Sequence, residues 1–130
     1  MSREKYALGL SGFFGLVVGL GIGLYQVILT DPMILGEQEV PRWLIGVHVH
    51  FIGLGLITLF YSMYIDELFE GYRTLTAGAS ILGQWGVPGF LLLVYTTGFG
   101  PFGMLILVSA IAAVAVVISF AVNYARRGPV

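Results

Sequence analysis

The only two histidines of the chain, His48 and His50, lie in one apolar segment and are separated by a single valine. Neutral imidazole is a good axial ligand of haem iron and a good ligand of copper. Ionisable side chains inside a hydrophobic segment mark functional sites. The pair therefore predicts a cofactor or metal site with His48 and His50 as ligands. The alternative is that each imidazole is only hydrogen-bonded to a neighbouring hydroxyl or carbonyl.

The composition places these histidines in a membrane. Of 130 residues, 58% are hydrophobic and 10% are charged, and the mean hydropathy is +0.94, which is outside the range of soluble domains. The absence of cysteine excludes disulfides and thiolate ligands. A net charge of -1 offers no basic surface for nucleic acid. The environment that the composition predicts is the lipid bilayer, with no nucleic-acid partner.

Four apolar segments are long enough to cross a bilayer. They predict helices at about 6–30, 42–64, 74–97 and 102–124, of which only the second contains a charge, Arg42 at its start. The expected fold is therefore an all-α, integral membrane four-helix bundle that forms a single domain over residues 1–130. The first segment is too long for the hydrophobic region of a signal peptide, which is roughly 7 to 15 residues. Residues 31–41 contain two prolines and predict a loop, and Pro88 predicts a kink in the third helix.

The basic residues predict the orientation. Four spans place both termini on one side, and only Arg42 lies on the other side, whereas the terminal side carries Arg3, Lys5, Arg73, Arg126 and Arg127. The positive-inside rule therefore predicts that both termini are cytoplasmic. His48 then lies near the outer face, about 7 Å past Trp43 at 1.5 Å per residue. Trp43 is expected at that interface and Tyr61 and Tyr64 at the other.

Helical geometry separates the two imidazoles. Residues two apart point about 200° away from each other, so His48 and His50 face different neighbours. An unpaired imidazole in hydrocarbon is costly, and a cofactor or a partner chain, either a second copy or another membrane subunit, is expected on the second face. Zinc catalysis is disfavoured because no span offers a carboxylate or a third histidine.

Several other side chains are predicted at the depth of the histidines. Met104 is a candidate thioether ligand, although methionine in an apolar helix usually serves packing. The others are Tyr25, Gln26, Tyr95, Thr96 and Thr97. Gln26 and Gln84 are expected to form hydrogen bonds between helices, and Gln84 lies too deep to reach the histidines.

Three glycines spaced by four residues, Gly15, Gly19 and Gly23, form one face of the first helix. Such a face lets another helix approach closely. The partner helix is either in the same chain or in a second copy.

The residues around the histidines resemble a known helix. His48-Val49-His50 followed by Gly55 gives His-x-His-x-x-x-x-Gly, which looks like the tenth helix of haem-copper oxidase catalytic subunits, especially the nitric oxide reductase large subunit. It is also similar to the His-x-His helices of smaller membrane proteins linked to haem or to nitric oxide response. The resemblance covers residues 41–55 and implies that His48 ligates one haem and His50 another. The family's further histidines have no counterpart here, so one copy cannot build a complete reducing centre.

We therefore predict a membrane protein that binds b-type haem near the outer face through His48 or His50, as a homo-oligomer. Its function is then electron transfer or haem or gas sensing. An autonomous enzyme is disfavoured because no nucleophile, general-base pair or phosphate loop is evident. Two alternatives stay open: copper held by a histidine with Met104, and a non-catalytic accessory subunit of a larger membrane complex.

Overall fold

Four α-helices form the structure, a computed structural model that describes residues 1–30, 39–68 and 71–128. They are α1 (Arg3–Thr30), α2 (Arg42–Leu68), α3 (Arg73–Thr97) and α4 (Phe102–Arg127). All four are long and apolar enough to cross a membrane. The predicted all-α four-helix bundle is confirmed, and the chain is an integral membrane protein. The predicted loop at 31–41 lies mostly outside the described residues.

Successive helices run antiparallel. Gly9 of α1 faces Ser62 of α2, whereas Gly23 faces His48. The end of the bundle that carries both termini is called the terminal end, and the opposite end is called the histidine end. α1 packs on α2 and α3, and α4 packs mainly on α3 and touches α2 over a short region. A cleft therefore lies between α2 and α4.

The glycine face of α1 packs against α2 of the same chain. A Cβ atom on Gly19 would lie 2.7 Å from Ile52 Cδ1, and one on Gly12 would lie 2.6 Å from Leu59 Cγ. From α2, a Cβ on Gly55 would lie 3.2 Å from the Gly12 carbonyl oxygen. The backbones are thus close enough that larger residues would not fit. Of the two interpretations of this face, the structure shows packing within one chain.

A polar network joins α1 to α3 inside the apolar bundle. Gln84 is 1% exposed, and its Nε2 donates to the Ser11 carbonyl at 2.7 Å, while Ser11 Oγ donates to Gln84 Oε1 at 2.9 Å. Trp85 Nε1 donates to the same hydroxyl at 2.8 Å. Gly15 makes room for the amide, because a Cβ there would overlap Gln84 Nε2. The expectation that Gln84 forms hydrogen bonds between helices is confirmed.

Aromatic pairs join the helices at both ends. Trp43 and Tyr95 stack at the histidine end with ring centroids 5.5 Å apart. Near the terminal end, Tyr61 stacks on Phe120 at 4.1 Å and belongs to the buried core. Tyr61 was expected with Tyr64 at the membrane interface of this end, and that depth stays a prediction. The structure adds that Tyr61 is buried, because its side of α2 meets α4.

The two ends of α3 are held by different contacts. α3 continues through the buried Pro88 and is capped by Gly98, which has a positive φ of 69° and donates its N–H to the Val94 carbonyl. At the terminal end, Arg73 pairs with Asp66 at 3.8 Å. The hydroxyl of Ser2 also donates to the Asp66 carboxylate. The Ser2 contact holds the N-terminus against the last turn of α2, and the Arg73 pair links the start of α3 to the same carboxylate.

Candidate functional site

His48 lies in the interface between α1 and α2. Its Nδ1 is 2.7 Å from the carbonyl oxygen of Gly19, and its half-buried ring lies over Gly23, where a Cβ would come within 2.7 Å of Cε1. A carbonyl oxygen can only accept, so Nδ1 carries the proton. In the neutral imidazole the lone pair is then on Nε2, which is the nitrogen available to a metal.

A groove of about 630 Å³ opens beside His48 between α1 and the start of α2. Gln26 is a polar member of its lining, and its Nε2 donates to the Leu44 carbonyl at 3.1 Å. This bond confirms that Gln26 links two helices. The remaining lining residues are Leu20, Gly23, Leu24, Val27, Thr30, Val40 and Ile45. The groove therefore offers an apolar wall with few polar atoms next to one imidazole.

His50 lies on a different face of α2 and is exposed. Its Nδ1 is 2.7 Å from the carbonyl oxygen of Gly46, one turn earlier in the same helix, so this nitrogen also donates and Nε2 again carries the lone pair. Gly46 and Gly53 lie one turn on either side of the imidazole. A Cβ on Gly53 would meet nothing within 4 Å, and one on Gly46 would meet only Leu91 at 3.8 Å. The two glycines therefore leave free space beside His50, on a surface that faces away from the bundle.

The two imidazoles do not share a site, as the helical geometry predicts. His48 contacts α1, whereas His50 bonds only within its own helix among the residues the structure describes. Within that part of the chain no three histidine or carboxylate groups come together to hold a metal ion. Each histidine can thus give one ligand bond, and the rest of a coordination sphere has to come from elsewhere.

The other candidates are not gathered around His48. Gln26 alone among them lines the groove. Met104 lies in the first turn of α4 and is 68% exposed, and Tyr95 stacks on Trp43. The hydroxyls of Thr96 and Thr97 donate to carbonyls of their own helix. The structure does not test a role for Met104 as a ligand, and that role stays a prediction.

Sequence reasoning missed two features of the site. The carbonyl of Gly19 becomes the partner of His48 only when α1 and α2 pack together. The carbonyl of Gly46 was within reach of sequence reasoning, because it lies four residues before His50 on a helix. Both carbonyls fix the orientation of an imidazole.

The comparisons with known proteins relate the chain to a family. No curated protein and no solved structure matches the chain. A family model described as a domain of unknown function, DUF8059, matches residues 1–127. With nearly its whole length matched, the chain belongs to the DUF8059 family.

Proposed function

We propose that the chain is an integral membrane protein that binds b-type haem through Nε2 of His50 and serves in electron transfer or in haem or gas sensing. The observation that carries the proposal is the 2.7 Å bond from His50 Nδ1 to the Gly46 carbonyl. It leaves Nε2 of an exposed imidazole with a lone pair and no bond within the described residues. This is the state in which a histidine ligates a metal.

The surroundings of His50 support haem as the group that is bound. Histidines that ligate metals usually donate their other N–H to a carbonyl or carboxylate, which fixes the ring and raises its basicity. Gly46 supplies that carbonyl. The open surface at Gly46 and Gly53 leaves room for a flat macrocycle against the helix. When bound, haem would supply one-electron or gas-binding chemistry, and the apolar surroundings would limit the access of water.

A second axial ligand has to come from another chain. On the exposed face of α2 one copy offers one histidine, and a two-fold axis would bring the same residue from a second copy. We therefore propose a homodimer in which the two His50 side chains face each other. A different membrane subunit is the other possible source of the ligand. His48, with its groove, is the alternative ligand of the haem.

The orientation is part of the same proposal. The basic residues favour cytoplasmic termini, which would place the histidine end at the outer face. The haem would then exchange electrons or gas with partners near that face.

One observation favours the accessory-subunit function instead. Each imidazole already donates a hydrogen bond to a carbonyl, and this partly offsets the cost of placing it in hydrocarbon. The histidines can therefore be stable without any cofactor. In that case the exposed apolar faces of the helices would pack against a catalytic partner.

The absorbance spectrum separates the two functions. The full-length protein is expressed with haem supplied, purified in detergent, and measured as a reduced-minus-oxidised difference. The haem function predicts a Soret band with sharp α and β bands, which His50→Ala removes and the neighbouring control Val49→Ala keeps. Folded, haem-supplied protein without these bands would rule out haem binding. Bands that persist in both His48→Ala and His50→Ala would rule out the assigned ligands. Elemental analysis of the same sample tests for copper.

A further inference from the structure

A small, partly open cavity lies where α2, α3 and α4 meet. Its volume is about 180 Å³, and its walls are apolar except for Thr58, Ser80, Gln84 and Tyr61. Ser80 is 5% exposed, and its hydroxyl has no hydrogen-bond partner among the described residues. A buried hydroxyl without a partner costs free energy. The cavity therefore contains an unused hydrogen-bond donor.

Three other polar side chains of α3 and α4 have hydrogen-bond partners. Gln84 is bonded to Ser11. Ser109, which is also buried, donates to the Leu105 carbonyl of its own helix at 2.8 Å. Ser119 donates to the Ala115 carbonyl in the same way. Serines in apolar helices usually make this bond to the preceding turn, and Ser80 departs from that pattern.

The cavity adjoins a larger space on the side of the bundle that faces the bilayer. A second space of about 550 Å³ lies between α2 and α4 and shares Ile57, Tyr61 and Val117 with the first. The two spaces together are called the α2/α4 cleft. Val117 is 50% exposed and lies at the side of the cleft. Aromatic side chains line the outer space, including Phe60, Tyr61 and Phe120. The cleft thus opens laterally to lipid and has its unused donor at the inner end.

We propose that the α2/α4 cleft binds a neutral, lipid-soluble molecule with a flat ring that bears a carbonyl group, the class to which quinones belong. The hydroxyl of Ser80 donates to the carbonyl oxygen, and the ring lies beside the aromatic side chains of the outer space. Such a molecule reaches the cleft from the bilayer without passing through water. This binding does not depend on haem.

The chemistry of the cleft excludes other classes of occupant. A charged headgroup at this depth is costly, and no basic side chain lines either space. An acyl chain has no acceptor for the Ser80 hydroxyl. Water can satisfy Ser80, yet it does not fill the apolar, aromatic outer space.

Photolabelling of the full-length protein in detergent tests this inference. The probe is an azido-substituted benzoquinone with a decyl tail, and labelled peptides are mapped by mass spectrometry. Labelling should concentrate on the facing sides of α2 and α4, and the same quinone without the azido group should compete. Labelling spread evenly over the exposed faces of all four helices, or labelling that is not competed, would overturn the proposal.

Two pairs of variants test the residues. Ser80→Ala should lower the affinity of the competing quinone about two- to twelvefold, which corresponds to the loss of one net hydrogen bond. The matched control Ser119→Ala should leave this affinity unchanged. Val117→Trp should remove specific labelling by filling the cleft, whereas Ile118→Trp on the neighbouring exposed position should keep it. Equal affinity in Ser80→Ala and Ser119→Ala would refute the hydrogen bond, and full labelling of Val117→Trp would refute the location.

Discussion

Gly15→Ala is expected to disrupt the polar network between α1 and α3. The added Cβ would overlap Gln84 Nε2 and lie 3.3 Å from its Cδ. Gln84 is fully enclosed, so its amide can move only by giving up the bonds at 2.7 and 2.9 Å that it makes with Ser11. The substitution therefore exchanges two hydrogen bonds for one methyl group.

The expected loss of stability follows from those two bonds. Hydrogen bonds between membrane helices average about 0.6 kcal/mol each, and leaving a buried polar group unsatisfied costs about 1–3 kcal/mol. Gly15→Ala should therefore lower the free energy of unfolding by about 1–3 kcal/mol relative to Gly21→Ala. Gly21 is in the same helix, and a Cβ there meets nothing within 4 Å, so this control cancels the change in helix propensity. Unfolding by sodium dodecyl sulfate, followed by circular dichroism, measures both variants.

A double-mutant cycle identifies the cause. In a Gln84→Ala background the amide that Gly15→Ala displaces is gone, and the additional cost of Gly15→Ala should fall close to zero. An undiminished cost in that background would show that the methyl group clashes with something other than Gln84. Equal stability of Gly15→Ala and Gly21→Ala would refute the close approach itself.

Two further substitutions test the histidine end in the same assay. Gly23→Ala should displace the His48 ring, whose Cε1 would lie 2.7 Å from the new Cβ, and should cost about 1 kcal/mol relative to Gly21→Ala because the bond to the α1 carbonyl is lost; equal stability would contradict this contact. Trp43→Ala should lose about 0.5–1.5 kcal/mol beyond the effect of buried area, since its ring stacks on Tyr95 at an interplanar angle of 8°. A Tyr95→Ala background should remove that extra loss.

The fold was largely predictable because charges bound the apolar segments. The predicted helices fall within the observed ones, and α1 and α4 extend to Arg3 and Arg127 because helices continue into the polar ends. The spacing of His48 and His50 showed that their side chains point in different directions, since that angle depends only on the helical repeat. Features within a single helix were thus accessible from sequence.

Features that depend on packing between helices were not accessible. Sequence spacing put the glycines of α1 on one face, yet it could not choose between α2 and a second copy as the partner. Tyrosine is enriched at membrane interfaces, so sequence alone could not show that Tyr61 is buried. It is buried because Phe120 of α4 stacks on it. The unpartnered hydroxyl of Ser80 follows from the position of three helices, which no local pattern encodes.

The haem content of purified, haem-supplied protein tests the role of His50 most directly. If Nε2 of His50 from each of two copies ligates one haem, the wild-type protein will contain one haem per two chains, and His50→Ala will contain none while remaining folded. Val49→Ala, next to it on the helix, will keep the wild-type ratio. Wild-type protein without haem, or His50→Ala with the same haem content as the wild type, would contradict ligation by His50.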